Sequence, residues 1–372
     1  MTARIALDLR MLLDPPDGIS RYALELAGRL PLLMKDAELV TVGRADKIRR
    51  RLPHARVLEA RTTSISLREQ AELPALLYGH RVDLFHATLF VAPLVWHRPY
   101  VLTLHDVNYL ALPQLYGRHR ELYFQTAVRL FAKRAAAIVT VSEFSRVEIE
   151  RRLGVPAERV EVIPNGIDPR FRPLDEAARG ELLGRLGLPR DYLLYVGSFA
   201  PHKNVPLLLR AYARLADAPT LVLCGQGPDR IRPEIERLGP QNRVRLLQGQ
   251  GDEALVALYS GATAFVFPSL YEGFGLPPLE AMACGAPTIV SDAGSLPEVT
   301  GGAALTFPVH DDAALAEQIQ ALLDSPQKRT ELAAAGRRRA EKFRWEACVE
   351  QVAGVYRREP GLSRAPSGPR AL

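Results

Sequence analysis

Short runs of apolar residues, many of them β-branched, alternate along the chain with stretches in which apolar positions recur at helical spacing. This alternation is typical of buried parallel strands joined by helices that cover both faces of a sheet. In the first half, strands are predicted at Ile5–Leu9, Leu39–Val42, Val57–Glu59, Asp83–His86, Val101–His105, Ile138–Val141 and Val160–Ile163. Helices are predicted between most of them, for example over Ser20–Leu33 and Arg120–Ala136.

The alternation stops at "PNGIDPRFRPLDE", residues 164–176, which has three prolines and no periodicity, and then begins again. In the second half, strands are predicted at Tyr192–Val196, Thr220–Cys224, Val244–Leu247, Ala264–Phe267, Thr288–Ser291 and Ala304–Phe307. We therefore predict an α/β chain of two doubly wound, Rossmann-like domains, residues 1–170 and 171–344, that face each other across a cleft. Residues 359–372 have the composition of a disordered tail.

The composition fits two globular domains in a reducing compartment. The chain has 372 residues, of which 47% are hydrophobic and 24% are charged. Its three cysteines are widely spaced and form no CxxC pair, which argues against a disulfide framework and a zinc site. Charges interrupt the N-terminal apolar run, and the longest charge-free run, residues 254–271, contains a glycine and a proline. Neither a secretory signal nor a transmembrane helix is predicted, so we expect a cytoplasmic protein.

The net charge of +6 is unevenly distributed. Residues 1–172 carry 26 Lys and Arg against 19 Asp and Glu, whereas residues 173–372 carry 22 against 23. A basic first half suggests an anionic partner there, such as lipid head groups on the inner face of the membrane, a phosphorylated acceptor or nucleic acid. An arginine-rich proteome would explain the same excess without any partner.

The strand ends are where ligands bind in doubly wound sheets, and "PSLYEGFGLPPLEAMACG" follows the predicted strand Ala264–Phe267 directly. The two prolines at 277–278 suit the first positions of a helix. Backbone N–H groups would then project from a positively polarised helix end, which binds anions such as diphosphates. The N–H groups concerned are those of Phe274, Gly275 and Leu276.

Two glutamates, Glu272 and Glu280, flank this predicted anion site. They would repel phosphates, so they are better suited to accept hydrogen bonds from hydroxyl groups. A ligand with phosphates in the middle and hydroxylated sugars on both sides fits this arrangement, which points to a nucleotide diphosphate sugar. For either glutamate alone, the alternative is an acid that stabilises the helix end without any ligand.

Other strand ends carry further candidates. Lys203, in "YVGSFAPHKN", would reach the same anion, with His202 as a second donor, although a solvated lysine is the alternative. Gly18 opens a helix after the first strand and would let the backbone approach a phosphate. His105 and Asp106 end a central strand, and such a pair at a sheet edge favours a functional role. No Asp-Xaa-Asp motif marks a divalent-metal site.

The stretch "PSLYEGFGLPPLEAMACGAPTIVSDAGSLPEV" resembles the glutamate–seven–glutamate signature of the glycosyl transferases group 1, of the glycosyltransferase family 4 type. The segments "GISRY", "LHDVNY", "TVSEFSR", "VIPNGID" and "YVGSFAPHKN" are similar to that family too, and they occur in the right order. The resemblance covers nearly the whole chain. It implies retaining, nucleotide-sugar-dependent enzymes of the GT-B fold, in which a C-terminal helix, here 345–358, completes the first domain.

The resemblance also implies roles for individual residues. Glu272 would contact the transferred sugar, and Glu280 would bind the nucleotide ribose. Lys203 and the backbone at 274–276 would neutralise the leaving diphosphate. His105 would contact the sugar or assist the acceptor.

One departure from the family is visible near the predicted diphosphate site. Members usually carry an arginine beside the lysine or just after the preceding glycine, whereas Ser198 and His202 occupy those places here. Neutralisation of the phosphates would therefore depend more on Lys203 and the helix end, or on a protonated His202.

The expected function is transfer of a hexose, with mannose from GDP-mannose favoured, to a hydroxyl of a glycan or lipid-linked acceptor, with no cofactor and no metal. The style of the motifs is similar to bacterial mannosyltransferases of polysaccharide assembly. A GT-B nucleotide-sugar epimerase would share the fold and the ligand. A basic nucleic-acid-binding protein would explain the charge, but it leaves residues 265–292 unexplained and lacks interleaved aromatic and basic residues, so we expect no nucleic-acid partner.

Overall fold

The structure is a computed structural model, which describes residues 2–14, 16–62, 66, 68–239 and 243–359. The described residues divide into two compact units, the first made of those up to 166 together with 345–359 and the second of those within 167–344. Nearly all of the tail for which the sequence predicts disorder lies outside the described residues, since the description ends at Glu359.

The first unit is built on one parallel sheet. Its strands are β1 Ala3–Asp8, β2 Ala37–Gly43, β3 Val57–Glu59, β4 Leu84–Ala87, β5 Tyr100–Thr103, β6 Ala137–Thr140 and β7 Val160–Val162. They lie in the order β3-β2-β1-β4-β5-β6-β7. Because the order reverses beside β1, helices cross over on both faces, as in a doubly wound fold.

Helices cover both faces of this sheet. They are α1 Gly18–Leu33, α2 Ala45–Arg51, α3 Glu69–Gly79, α4 Asn108–Ala111, α5 Pro113–Tyr116, α6 Arg118–Tyr123, α7 Arg129–Arg134 and α8 Glu143–Leu153, with the C-terminal helix Trp345–Arg358. Alternate residues of β1 enter opposite cores: Ile5 and Leu7 pack with α1 and the C-terminal helix, whereas Ala6 faces the other core. Burial on both faces explains the nearly continuous apolar strands.

The second unit repeats this plan. Its strands are β8 Tyr192–Val196, β9 Thr220–Cys224, β10 Val244–Leu247, β11 Ala264–Phe267, β12 Thr288–Ser291 and β13 Leu305–Phe307, and all are parallel, in the order β10-β9-β8-β11-β12-β13. Its helices are α9 Glu176–Arg185, α10 Val205–Ala213, α11 Arg232–Arg237, α12 Asp252–Gly261, α13 Leu276–Ala283, α14 Leu296–Thr300, α15 Asp312–Leu323 and α16 Pro326–Ala340. The C-terminal helix is α17.

The predicted fold class of two doubly wound α/β domains is confirmed, and a strand lies at each predicted position. The helix predicted over Arg120–Ala136 is α6 and α7 joined by a π-helical turn, Phe124–Val128. Within the described part of the chain, no helix combines the length and the apolar character needed to cross a bilayer.

Candidate active site

The predicted anion site lies at the start of α13, directly after β11. Gly275 caps this helix with φ +101°, a left-handed conformation that side chains disfavour, and an added Cβ would lie 2.8 Å from Leu296 Cδ2. Pro277 and Pro278 occupy the second and third helical positions and have no N–H. Of the first three helical positions only Leu276 therefore has an N–H, and binding of an anion by the N–H groups of Phe274, Gly275 and Leu276 stays a prediction.

The loop that carries Glu272 is supported by the segment after β12. Ser295 donates its backbone N–H and its hydroxyl to the Glu272 carbonyl, each at 3.1 Å, and its hydroxyl also lies 2.9 Å from the Phe274 carbonyl. Gly294 has φ +64°, and a Cβ there would lie 2.7 Å from the Glu272 nitrogen. Gly294 and Ser295 thus fix the path of the loop, and sequence reasoning missed both, although they fall inside the family signature.

Lys203 and Glu272 are in direct contact. The Lys203 ammonium lies 2.6 Å from Oε1 of Glu272, and their side chains are only 15% and 12% exposed. The same ammonium lies 5.1 Å from the centre of the Phe267 ring, a cation–π distance. A fixed positive charge and a fixed carboxylate therefore stand side by side at the carboxyl end of the second sheet.

The neighbouring His202 does not supply a second positive charge. Burial and the nearby Lys203 charge lower the pKa of His202 to about 4, with Glu272 opposing the shift, so its imidazole is neutral near pH 7. In the free protein His202 therefore adds no charge to neutralise phosphates, although a neutral imidazole still has one N–H to donate. The carbonyl of His202 accepts the backbone N–H of Leu270 at 2.7 Å, which ties the lysine segment to the loop after β11. Ser198 is exposed, and its carbonyl accepts the Tyr195 hydroxyl at 2.7 Å.

Glu280 is the fifth residue of α13 and is buried, with its Oε2 accepting a hydrogen bond from the Tyr259 hydroxyl at 3.1 Å. Burial, with the nearby Glu280, raises the pKa of Tyr259 well above its ordinary value, so the phenol remains a donor. The favourable effect of an acid at a helix end is largest in the first turn. Glu280 lies beyond that turn, so helix stabilisation explains this glutamate less well than the sequence alone suggested.

In the first unit, His105 lies two residues beyond the end of β5. Its Nε2 lies 3.1 Å from the Thr88 carbonyl, which can only accept, so Nε2 carries the proton. Burial lowers the pKa of His105 to about 4. The imidazole is therefore neutral near pH 7, and its Nδ1 is an acceptor.

Gly18 is the first residue of α1 and is exposed. Asp17 caps this helix by accepting the Ser20 N–H at 2.8 Å. Helix α1 thus begins at Gly18 with a capped first turn, and the predicted approach of Gly18 to a phosphate stays a prediction.

The described structure brings part of the predicted site together. Lys203, Glu272 and His202 form one cluster, and the end of α13 belongs to the same loop system. Glu280, on the same helix α13, accepts the Tyr259 hydroxyl, and the Ser198 carbonyl accepts the Tyr195 hydroxyl. Among the described residues, no group of three or more His, Cys, Asp or Glu could hold a metal ion.

Two solved structures of other proteins share this architecture. Sucrose-phosphate synthase from Thermosynechococcus elongatus matches with a TM-score of 0.80 at 23% identity, covering 95% of this chain and 98% of that one. HepE from Anabaena, solved with UDP-glucose, matches with a TM-score of 0.79 at 22% identity, covering 95% and 99%. These likenesses show the fold, which is the GT-B arrangement of two doubly wound domains.

Sequence comparison gives the family. The model of the glycosyl transferases group 1 matches residues 185–339, and that of glycosyltransferase family 4 matches residues 16–171. O-antigen chain mannosyltransferase B of Escherichia coli is 32% identical over 369 residues, covering 92% of this chain and 96% of the relative. The chain belongs to this glycosyltransferase family, as its motifs predicted. Neither family model describes an epimerase or a nucleic-acid-binding protein, so those alternatives gain no support.

Proposed function

We propose that the chain is a retaining, metal-independent hexosyltransferase that moves mannose from GDP-mannose to a hydroxyl of a glycan or lipid-linked acceptor. The observation that carries this proposal is the 2.6 Å contact between Lys203 and Glu272 beside the start of α13. It puts a cation for the diphosphate and a carboxylate for the sugar next to each other.

The leaving diphosphate would be stabilised by fixed positive charge. As the bond between the sugar and the phosphate lengthens, negative charge builds on the diphosphate and positive charge on the sugar ring. The Lys203 ammonium and the N–H groups at 274–276 would stabilise the negative charge on the diphosphate. Preorganised groups of this kind often contribute more to catalysis than any other effect, because they need no reorganisation during the reaction.

The sugar would be held by hydrogen-bond acceptors, one of them negatively charged. The Glu272 carboxylate can accept hydrogen bonds from sugar hydroxyls and favours the positive charge that develops on the ring. Nδ1 of the neutral His105 can accept a hydrogen bond from a hydroxyl of the sugar or of the acceptor. The acceptor would attack from the face that the diphosphate leaves, which keeps the anomeric configuration.

Glu280 would bind the ribose of the donor. Its carboxylate has two oxygens with about four acceptor positions, and the Tyr259 hydroxyl uses one of them. The Tyr259 bond also fixes the orientation of the side chain, so a ribose diol would meet a preorganised acceptor.

The choice of mannose is supported by the relative from E. coli, whose name is that of a mannosyltransferase and which aligns over nearly the full length of both chains. The motif style points to polysaccharide assembly as well. The structural neighbour HepE holds UDP-glucose, so a uridine donor is the main alternative for the base.

A donor panel tests this proposal. We expect GDP and GDP-mannose to raise the melting temperature more than UDP and UDP-glucose, because only a ligand that binds the folded state stabilises it. With a mannoside acceptor, NMR of the product should give the donor's α-configuration, and the rate should be unchanged in EDTA. A UDP-selective shift would reject the mannose donor, an inverted product would reject retention, and loss of activity in EDTA would reject metal independence.

The proposal includes a location on the inner face of the cytoplasmic membrane. The segment 118–134 carries five Arg and Lys residues and one Glu. On its exposed face, Leu122 and Leu130 are 60% and 44% exposed among the basic residues Arg118, Arg129 and Lys133. Apolar side chains with basic neighbours favour insertion at an anionic lipid surface. Buried, unpaired cysteines are typical of a reducing compartment.

Vesicle binding tests this surface. The wild type should sediment with phosphatidylglycerol vesicles at low salt and not with phosphatidylcholine vesicles. Replacing Arg118, Arg129 and Lys133 with Gln should weaken binding about 100-fold, at about 1 kcal/mol per charge, and L122S/L130S should weaken it too. The control L32S removes a 71% exposed leucine at the end of α1 and should bind normally. Equal binding by all variants would contradict this surface.

A further inference from the structure

A buried ionic cluster lies at the carboxyl end of β1, outside every residue to which a role has been given. The Arg10 guanidinium makes two hydrogen bonds to the Asp8 carboxylate, at 2.9 and 2.7 Å, and a third to Glu69 at 3.0 Å. All three residues are buried. Burial alone would lower the pKa of Arg10, but Asp8 and Glu69 raise it above its ordinary value. Sequence reasoning saw Asp8 and Arg10 only as charges that interrupt an apolar run.

This cluster is connected to His105 by an unbroken series of contacts. The Thr88 hydroxyl donates to the backbone carbonyl of Asp8, and the Thr88 carbonyl accepts Nε2–H of His105 at 3.1 Å. The ladder between β1 and β4 ends at the pair Leu7 and His86. The Thr88 hydroxyl therefore extends the contact between these two strands beyond their last paired residues.

A second contact fixes the plane of the His105 ring. The Tyr22 ring meets it edge-on, with centroids 4.9 Å apart and planes at 89°. The Tyr22 hydroxyl lies 3.1 Å from Oγ1 of Thr103, the last residue of β5. The imidazole is thus held by Thr88 on its Nε2 side and by Tyr22 against its ring.

We infer that Thr88, Asp8, Arg10 and Glu69 are positioning residues that keep His105 in the tautomer with the proton on Nε2 and the acceptor lone pair on Nδ1. The inference rests on the proposed function, in which Nδ1 of His105 meets a hydroxyl of the sugar or the acceptor. The lowered pKa of His105 agrees with it, because a neutral imidazole has one donor and one acceptor nitrogen. The wrong tautomer would put an N–H where an acceptor is needed.

The helix that carries Glu69 also fixes the loop after β4. Gln70, next to Glu69 at the start of α3, accepts the Leu94 N–H at 2.8 Å and donates to the Ala92 carbonyl at 3.4 Å. Helix α3 therefore holds β1 through Glu69 and the loop after β4 through Gln70. Thr88 lies between these two attachments, because its hydroxyl bonds the carbonyl of Asp8 in β1 and the loop held by Gln70 follows it in the chain.

The experiment records the ¹⁵N resonances of the histidine rings in the full chain, which has eight histidines, and assigns His105 with H105Q. The wild type should show one tautomer with a protonated Nε2. T88V, which removes the hydroxyl at nearly constant shape, should show a mixture, and T88S should restore the single form. We expect T88V to lower kcat by up to about 100-fold, as a small misplacement of a positioned group can do, with the donor KM little changed.

The control is T41V, because Thr41 is also buried in the first unit and donates its hydroxyl to a backbone carbonyl, that of Arg56. It should keep the wild-type tautomer and kcat. E69Q is a second variant, at the far end of the cluster, and His105 should show a mixture of tautomers in it too. Unchanged His105 resonances in both T88V and E69Q would overturn the inference, whatever happens to the rate. If the wild type transfers no sugar, the proposed function fails, while the tautomer result still decides this inference.

Discussion

Replacing Glu272 with glutamine is expected to lower kcat/KM about 10²- to 10³-fold, the cost typical of losing one preorganised electrostatic group in an active site. The amide keeps the shape of the carboxylate but loses the charge that would favour the positive sugar ring. The loop should keep its path, because Ser295 holds the backbone carbonyl of residue 272 and not its side chain. The fall should therefore appear mainly in kcat, with the donor KM changed much less.

Steady-state kinetics with the donor and acceptor identified by the panel would measure this effect, with thermal melting to check the fold. The matched control is E341Q, which neutralises an exposed glutamate of the same unit after α16. It should retain wild-type kinetics. A Glu272 variant with unchanged kcat would show that its carboxylate has no part in catalysis, and the contact with Lys203 would then be a structural ion pair.

Much of the fold could be predicted because local pattern and burial agree. A strand covered on both faces must be apolar at nearly every position, and β8, β9 and β11 are buried throughout, so each stands out as a run. Helix ends were predictable where a single residue decides them. Ser142, for example, caps α8 by accepting the Ser145 N–H at 3.0 Å, and serine is among the residues that most favour this position.

The features that the sequence did not predict depend on contacts between residues far apart in the chain. Arg10 meets Glu69 across 59 positions, and nothing near either residue indicates the other. Ser295 and Gly294 support Glu272 from more than 20 positions away. The neutral state of His202 depends on burial and on charges brought near it by folding. Sequence patterns thus predict residues that would face the ligand, whereas the residues that support them became visible only in the structure.

The proposed chemistry also explains why the candidate site combines charges that would cancel in other places. A nucleotide sugar has a negative diphosphate and, in the transition state, a positive ring. A site that stabilises both needs a cation and an anion a few ångströms apart, and the described Lys203 and Glu272 meet that requirement. In the free protein they also satisfy each other, which limits the cost of keeping two charges largely out of water.

Replacing Lys203 with methionine is expected to lower kcat about 10²- to 10³-fold and to weaken binding of nucleoside diphosphates, because the leaving group loses its fixed cation. The methionine keeps the apolar stem near Phe267. His202 should not compensate, since its pKa of about 4 leaves it neutral at pH 7. The uncompensated Glu272 carboxylate should cost about 1–3 kcal/mol of folding free energy, less than for a fully buried pair because some solvent reaches it.

Calorimetric titration with GDP and with GMP would separate binding of the diphosphate from binding of the nucleoside. K203M should lose affinity for GDP much more than for GMP, whereas K342Q, which removes an exposed lysine shortly before α17, should change neither. The double variant K203M/E272Q should recover most of the lost folding stability, because no carboxylate is then left unpaired, but it should recover no activity. Equal losses of GDP and GMP affinity would contradict a specific contact with the second phosphate and would reduce Lys203 to the structural partner of Glu272.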